Sequence, residues 1–430
     1  MIYDKASLVQ IPSGYKSGTL YSVVPNTADG DFTVTGDPEG EATRVNKDGL
    51  IESVAADVPR LNYDPSNPQD PHLLLEPTRT NQFTNSENLA NIDFKTNSTI
   101  TTDNIIAPNG SLTADKTTQT SGGYLRETVS VSNGTTYSFS VFLKKGDLRY
   151  AVIRSLFSQN GTTPANSNNV FDLDNGSVIY TGTDIVSASI EAYTNDWYRC
   201  SFVSLASGTS SASFIDFYFT SSSSSTQASG TAGSGYAWGM QLEAGTYPTS
   251  YIPTTGAVTR TVDKCLNAGD ANLFNDSEGT LFVDLENFSG NTRELTLSDG
   301  TSNNRITIIF YGASAIIRFY VANGGVAQAD SVFSISFTFD QRNKIAFRYK
   351  QNDFKAYING TQVFSDTSGN TPVGLSRFDF ANSNATTNFI EGEIYQAMVF
   401  NEALSDSELE TITSYTSFNQ MAKALLYTIE

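Results

Sequence analysis

From residue 77 onward, hydrophobic and polar residues alternate with the two-residue period of half-buried strands. In TYSFSVFLKKG, Tyr137, Phe139, Val141 and Leu143 share one face. In ASFIDFYFTS, Ile215, Phe217 and Phe219 alternate with Phe214, Asp216 and Tyr218. DWYRCSFVSL and YAWGMQLEAG read as further strands. The polar stretches GTTPANSNN, SGTSS and SSSSSTQASGTAGSG between them predict loops, the last a long hairpin loop because strand patterns flank it closely. Many antiparallel strands with polar connections predict a β-sandwich over residues 77–253.

A second run of strands follows, over residues 264–430. Leu281, Val283 and Leu285 alternate in GTLFVDLENF, and NRITIIFYG and AIIRFYVANGG read as a pair. In NKIAFRYKQNDFKAYINGTQVF, Ile345, Phe347 and Tyr349 share a face, KQND turns the chain, and Phe354, Ala356 and Ile358 share the next. Asn359-Gly360 is the signal for a two-residue type I′ hairpin turn. GEIYQAMVF is another strand. LSDSELETI starts a short helix, with Ser405 as N-cap and Glu408 as its capping-box partner. This region predicts a second sandwich.

Residues 1–76 differ. They are loaded with Pro, Gly, Asp and Asn, and their apolar runs (SLVQIPSGY, GLIESV, Leu73-Leu74-Leu75) keep no period. Such a segment buries little of its own surface, so it is mobile or ordered by packing on something else. The apolar beads favour an extended attachment arm. Residues 254–263, entered through TYPTSYIPTTGAVTR with Pro248 and Pro253, read as a stiff linker between the sandwiches. The fold class expected is therefore all-β, an extended N-terminal arm followed by two antiparallel β-sandwiches.

Composition agrees: 27 Phe and 21 Tyr suit strands, and the many Gly, Asn and Ser suit turns. The 45 acidic and 26 basic residues give a net charge of −19, which repels nucleic-acid phosphates and anionic membrane surfaces. No apolar run reaches membrane-spanning length, and MIYDKASLVQIPSG lacks a signal-peptide core, so synthesis in a bacterial cytoplasm without a cleaved leader is expected. Cys200 and Cys265 lie in different segments and are expected as free thiols; two cysteines rule out a disulfide scaffold or a Cys-built zinc site.

The phrases LLLEPTRTNQFTNSENL, GSLTADKTTQTSGGYLRETVSVSNGTTYSFSVFLKKGD, NDWYRCSFV and AWGMQLEAGTYPTSYIPTTGAVTRTVD resemble a carbohydrate-binding-module-like jelly roll common in bacteriophage structural proteins, over about residues 80–263. The N-terminal SLVQIPSGYKSGTLYSVVPNTADGDFTVT looks like the start of phage virion proteins. FRYKQNDFKAYINGTQVF and IYQAMVFNEALSDSELETI are similar to the concanavalin A-like sandwich of the LamG or pentraxin type. The resemblance implies a virion head or tail fibre, decoration or adhesin protein, located on the virion. It would be a homotrimer in such assemblies, held to other virion proteins through residues 1–76. A structural Ca²⁺ is also implied for such sandwiches, although no D-x-[DN]-x-[DN]-G loop is present.

Candidate chemistry is sparse. The one histidine, His72, sits in DPHLLLEP and reads as a surface or packing residue, since a catalytic base needs a nucleophile in a cleft. Phosphate-loop and multi-His zinc motifs are absent. A glycosidase needs only two carboxylates, and Asp216, Asp284 and Glu393 lie in strands; alternation makes them solvent-facing. Trp197 and Trp238 read as core residues, and Tyr247 and Tyr251 as packing for the arm. Tyr124 and Tyr180 are not distinguished from other loop aromatics, so no catalytic or glycan-binding residue is assigned.

Three functions remain. The first is weak, multivalent adhesion to surface glycans by projecting lectin-like domains. The second is bracing of a capsid or tail without any glycan. The third is a polysaccharide depolymerase, which requires a carboxylate pair about 5–10 Å apart in a groove; the expectation is that the chain is not an enzyme. An arm that folds back onto its own chain would argue against the anchor.

Overall fold

The computed structural model describes residues 2–38, 40–65, 67–157, 167–206, 213–226, 228–286, 292–312, 316–334 and 342–414, with the backbone alone for 67–70. The protein is all-β, built from antiparallel sheets with one short α-helix, Asp406–Ser414. Among the described residues no helix is long and apolar enough to cross a membrane.

The jelly roll has two sheets that share one strand. Ser177–Tyr180, Asn168–Asp172, Tyr150–Leu156 and Ser213–Thr220 form one side; Gly233–Ala244, Thr136–Lys145, Trp197–Leu205 and Ser187–Tyr193 form the other. The long strand Ala114–Val129 joins them, pairing through residues 115–119 with the second and 125–129 with the first. Its far edge carries Phe94–Ile105. The core between the sheets is filled by the alternating sets, among them Phe139, Val141, Leu143, Ile215, Phe217 and Phe219. The serine-rich segment does not close a hairpin. Strands 213–220 and 233–244 both pair with 114–129, so the connection carries the chain from one sheet to the other. Flanking strand patterns fix a connection, not which strands become neighbours.

In the C-terminal sandwich, Ile316–Asn323 and Arg305–Tyr311 pair as expected and lie in a five-stranded sheet. It faces a larger sheet containing Phe354–Ile358, Asn343–Lys350, Glu278–Glu286 and Gly392–Phe400. Leu281, Val283, Leu285, Ile345, Phe347, Tyr349, Phe354, Ala356 and Ile358 fill the core. Asn359 and Gly360 both adopt positive φ, as a type I′ turn requires. At the helix start, Ser405 N donates to Glu408 Oε2 at 2.8 Å and Glu408 N donates back to Ser405 Oγ at 3.4 Å. Both cysteines are free, each buried in a different core.

Residues 2–76 have no core of their own, but they are not an arm reaching away. Ala6–Gln10 pairs with one end of Gly392–Phe400, and Asn67–Leu75 pairs with the other end. Leu8, Leu20, Phe32, Val34, Leu73 and Leu75 belong to the core of the C-terminal sandwich. The physical reason is an edge. Without these segments strand 392–400 would expose a row of unpaired backbone groups and an open core. A hairpin of Ala42–Val45 and Ile51–Val54 covers the jelly roll instead, placing Ile51 against Trp197, Trp238, Phe142 and Tyr251. This cover explains why strand 136–145 is buried on both faces.

The stretch 254–263 is likewise no free linker. Val258–Arg260 pairs with Arg79–Asn81. Arg60, Glu76, Arg260 and Asp263 form a buried ion cluster, in which Glu76 Oε2 accepts from Arg60 Nη1 at 2.6 Å and from Arg260 Nη1 at 2.7 Å. Arg60 also pairs with Asp263. The expected cut after residue 76 therefore has no counterpart in space.

Candidate functional site

Where the N-terminal segment, the jelly roll and the C-terminal sheet meet, they enclose a cavity of about 560 Å³. Its floor comes from the outer face of the C-terminal sheet. Phe282, Asp284 and Glu286 alternate outward while Val283 and Leu285 point to the core. Glu286 is the register partner of Glu393 on the next strand. A β-bulge there leaves Tyr395 as the extra residue, since Asp284 pairs with Gln396 and Leu285 with Ile394. Bulges re-aim side chains in this way.

Tyr395 Oη lies 3.0 Å from Glu393 Oε2 and 3.3 Å from Glu286 Oε2. The two carboxylate oxygens are therefore no more than about 6 Å apart, a separation within the glycosidase range. Burial, and then the charge of Glu393, push Glu286 from its ordinary 4.5 up to about 7. A phenol has one proton. It donates to Glu393, while a protonated Glu286 donates to the phenol oxygen. The Tyr395 ring is held by the Arg342 guanidinium, 3.6 Å from its centroid, and by the His72 ring at 5.3 Å. Arg342 is fixed by two hydrogen bonds to Asp284, at 2.8 and 3.0 Å.

The N-terminal wall carries Asn62, Asp64 and His72. Val45 N donates to Asn62 Oδ1 at 2.7 Å, which turns the amide nitrogen toward His72 Nε2 at 2.9 Å. His72 Nε2 is then an acceptor, and its neutral form carries the proton on Nδ1. The jelly-roll wall supplies Glu191, Tyr193 and Arg199, with the exit loop 247–251 beside them. Glu191 is exposed to the cavity yet surrounded by protein. Its carboxyl is pushed up first by burial, opposed by Arg199, and further by the like charges of Glu393 and Asp64 across the cavity. Arg199 Nη2 donates to Ser140 Oγ at 2.9 Å and to Thr249 O at 2.6 Å.

The raised carboxyl has a testable consequence. An unfolded Glu286 ionises near its ordinary value, whereas the folded one holds its proton up to about pH 7. Between those values the native state binds more protons, so this group's contribution to stability falls as pH rises. Urea midpoints measured from pH 4.5 to 7.5 should decline more steeply for the native protein than for Glu286→Gln. Parallel profiles would contradict the shift.

Of the residues singled out in the sequence, Glu393, His72, Tyr247 and Tyr251 line the cavity. His72 is buried rather than on the surface, and Tyr251 stacks on Trp238 with ring centroids 4.6 Å apart. Trp197 and Trp238 are core residues, as expected. Asp216 and Asp284 are not solvent-facing. Both are fully buried, Asp216 paired with Arg126 and Arg154 and Asp284 with Arg342, because other elements cover the outer faces of their sheets. Tyr124 and Tyr180 pack beside Val152, Val170 and Tyr218, outside the cavity. Sequence reasoning missed Glu191, Tyr193, Arg199, Glu286 and Tyr395. For Glu286 the alternation of Phe282 and Asp284 was a usable signal; for Tyr395 the bulge removed it. Among the described residues no group of three or more His, Cys, Asp or Glu side chains is arranged to hold a metal ion, so an expected Ca²⁺ finds no such group there.

No curated protein matches the chain. Among solved structures, the carbohydrate-binding module (CBM40) of the Ruminococcus gnavus IT-sialidase bound to α2,3 sialyllactose aligns at 16% identity over 34% of this chain and 93% of that one, with a TM-score of 0.30. The NanB sialidase from Streptococcus pneumoniae, as its K499G mutant, aligns at 21% identity over 33% of this chain and 24% of that chain, with a TM-score of 0.29. The binding domain of botulinum neurotoxin DC in complex with SialylT aligns at 12% identity over 36% and 40%, with a TM-score of 0.30. Residues 266–410 match the concanavalin A-like lectin/glucanases superfamily, and that stretch of the chain, the C-terminal sandwich, is a domain of the concanavalin A-like type.

Proposed function

We propose that the protein is a glycan-binding adhesin and that the cavity between its sandwiches is the binding site. The observation that carries this is the cavity itself. Its volume of about 560 Å³ falls within the roughly 300–1,000 Å³ of small-molecule sites. Its walls combine tyrosines 193, 247 and 395 with the planar polar groups of Asn62, Glu191 and Arg199, the mixture that sugar rings and hydroxyls require. The lectin-type C-terminal domain supports the same reading.

Carriage on a bacteriophage virion, as a head or tail fibre or decoration protein and a homotrimer, rests on the sequence phrases of residues 80–263 and of the N-terminus. Because residues 2–76 are built into the sandwiches, attachment to other virion proteins would use a folded face rather than a loose arm. Many copies on one particle would turn weak single-site contacts into useful avidity.

A depolymerase is the second reading, favoured by the Glu286–Glu393 pair. We read the pair as a binding element instead, because the Tyr395 hydroxyl already stands between the two carboxylates, where a scissile oxygen or an attacking water would sit. Screening the purified protein against an oligosaccharide array tests the proposal. Expected is weak binding without new reducing ends. Release of reducing ends would install the depolymerase, and silence across the array would leave a structural brace.

A further inference from the structure

We propose that the glycan taken by this cavity is cationic, an oligosaccharide with free, unacetylated amino groups. This inference rests on the glycan-binding reading above and narrows its ligand class. The cavity walls carry Asp64, Glu76, Glu191, Glu286 and Glu393 against two guanidiniums, Arg44 and Arg199. Arg44 is spent on Glu52, at 2.7 Å. Glu76 is matched by Arg60 and Arg260, and Asp284 beneath the floor by Arg342 and Lys344. His72 is neutral in the tautomer fixed by Asn62. What remains toward the centre is an excess of carboxylates contributed by all three walls. They interact across the gap, since Glu393 and Asp64 each raise Glu191, and Glu393 raises Glu286.

An anionic sugar entering here would meet like charge in a partly desolvated space, where screening is weak. A neutral sugar would leave the repulsion in place. An ammonium group relieves it, and the sugar ring supplies hydroxyls for the remaining wall. Arg199 gives a second, independent pointer to a polar occupant. It is 93% buried (7% exposed) in the cavity wall, and its Nε has no hydrogen-bond partner among the described residues. A sugar oxygen would satisfy that donor. A ligand with both an ammonium group and acceptor oxygens matches both features, and an amino sugar is the simplest such glycan.

The test is calorimetric titration of the full chain with a glucosamine tetramer, its fully N-acetylated counterpart, sialyllactose and spermidine, at pH 6.5 in 50 mM and 500 mM salt. The glucosamine tetramer should bind at least about tenfold more tightly than the acetylated one, and the higher salt should weaken it. Glu393→Gln and Glu191→Gln, on opposite walls, should each lower its affinity by about tenfold while the melting temperature shows both variants folded. Equal or tighter binding of the acetylated tetramer or of sialyllactose would overturn the amino-group assignment and leave glycan binding standing. Spermidine binding as tightly as the tetramer would overturn the sugar part, showing that charge alone is read. No binding by any glycan would remove the underlying function as well.

Discussion

Deleting residues 1–76 is expected to leave a chain whose C-terminal sandwich does not fold. The deletion removes Leu8, Leu20, Phe32, Val34, Leu73 and Leu75 from the core of that sandwich. Each buried side chain of this size contributes about 1.5–3 kcal/mol, so their sum rivals the ~5–15 kcal/mol by which a whole domain is stable. The deletion also strips the pairing partners from both ends of strand 392–400. Circular dichroism and proteolysis of the truncated chain would report the loss. A dispensable attachment arm makes the opposite forecast: a truncated protein that melts like the parent. That result would show the pairing of 6–10 and 67–75 to be inessential.

Replacing Glu76 by Ala should have the next largest effect, a destabilisation of about 3–5 kcal/mol. Glu76 is buried, and besides its two guanidinium partners it accepts from Ser250 N at 2.8 Å and Ser250 Oγ at 2.6 Å. Without it, Arg60 and Arg260 would keep two buried positive charges with only Asp263 to balance them. The residues involved come from the N-terminal segment and from the stretch between the sandwiches, so the loss should loosen both sandwiches together. Urea unfolding would show it as a lower midpoint; a shift under about 1 kcal/mol would mean that the cluster is not the tie described here. There is an acid signature as well. Burial alone would raise this carboxyl, but Arg260 and Arg60 outweigh it and hold it well below the carboxylate range. Its contribution is present above the ordinary carboxylate value and is lost as pH falls through the depressed folded one. The native protein should therefore resist acid further than Glu76→Gln.

The two sandwiches were legible wherever burial follows from a single strand's own period. Phe139, Val141 and Leu143, or Ile345, Phe347 and Tyr349, could be placed in cores from alternation alone, because successive side chains of a strand face opposite ways. The type I′ turn at Asn359-Gly360 and the capping box at Ser405 were local too, set by backbone preferences that travel with the residues.

What covers the second face of a sheet is not a local property, and there the sequence was silent or misleading. Asp216 and Asp284 alternate outward and so read as wet, yet both are buried under guanidiniums from neighbouring elements. The segment 2–76 has no period, so its extended form could be read but not its destination, which is an open strand edge more than 300 residues away in the chain. The cavity belongs to the same class. Glu191, Glu286 and Glu393 are unremarkable among 45 acidic residues. They become a site only because long-range pairing, a bulge and a buried ion cluster bring three walls together and exclude enough water for their charges to be felt.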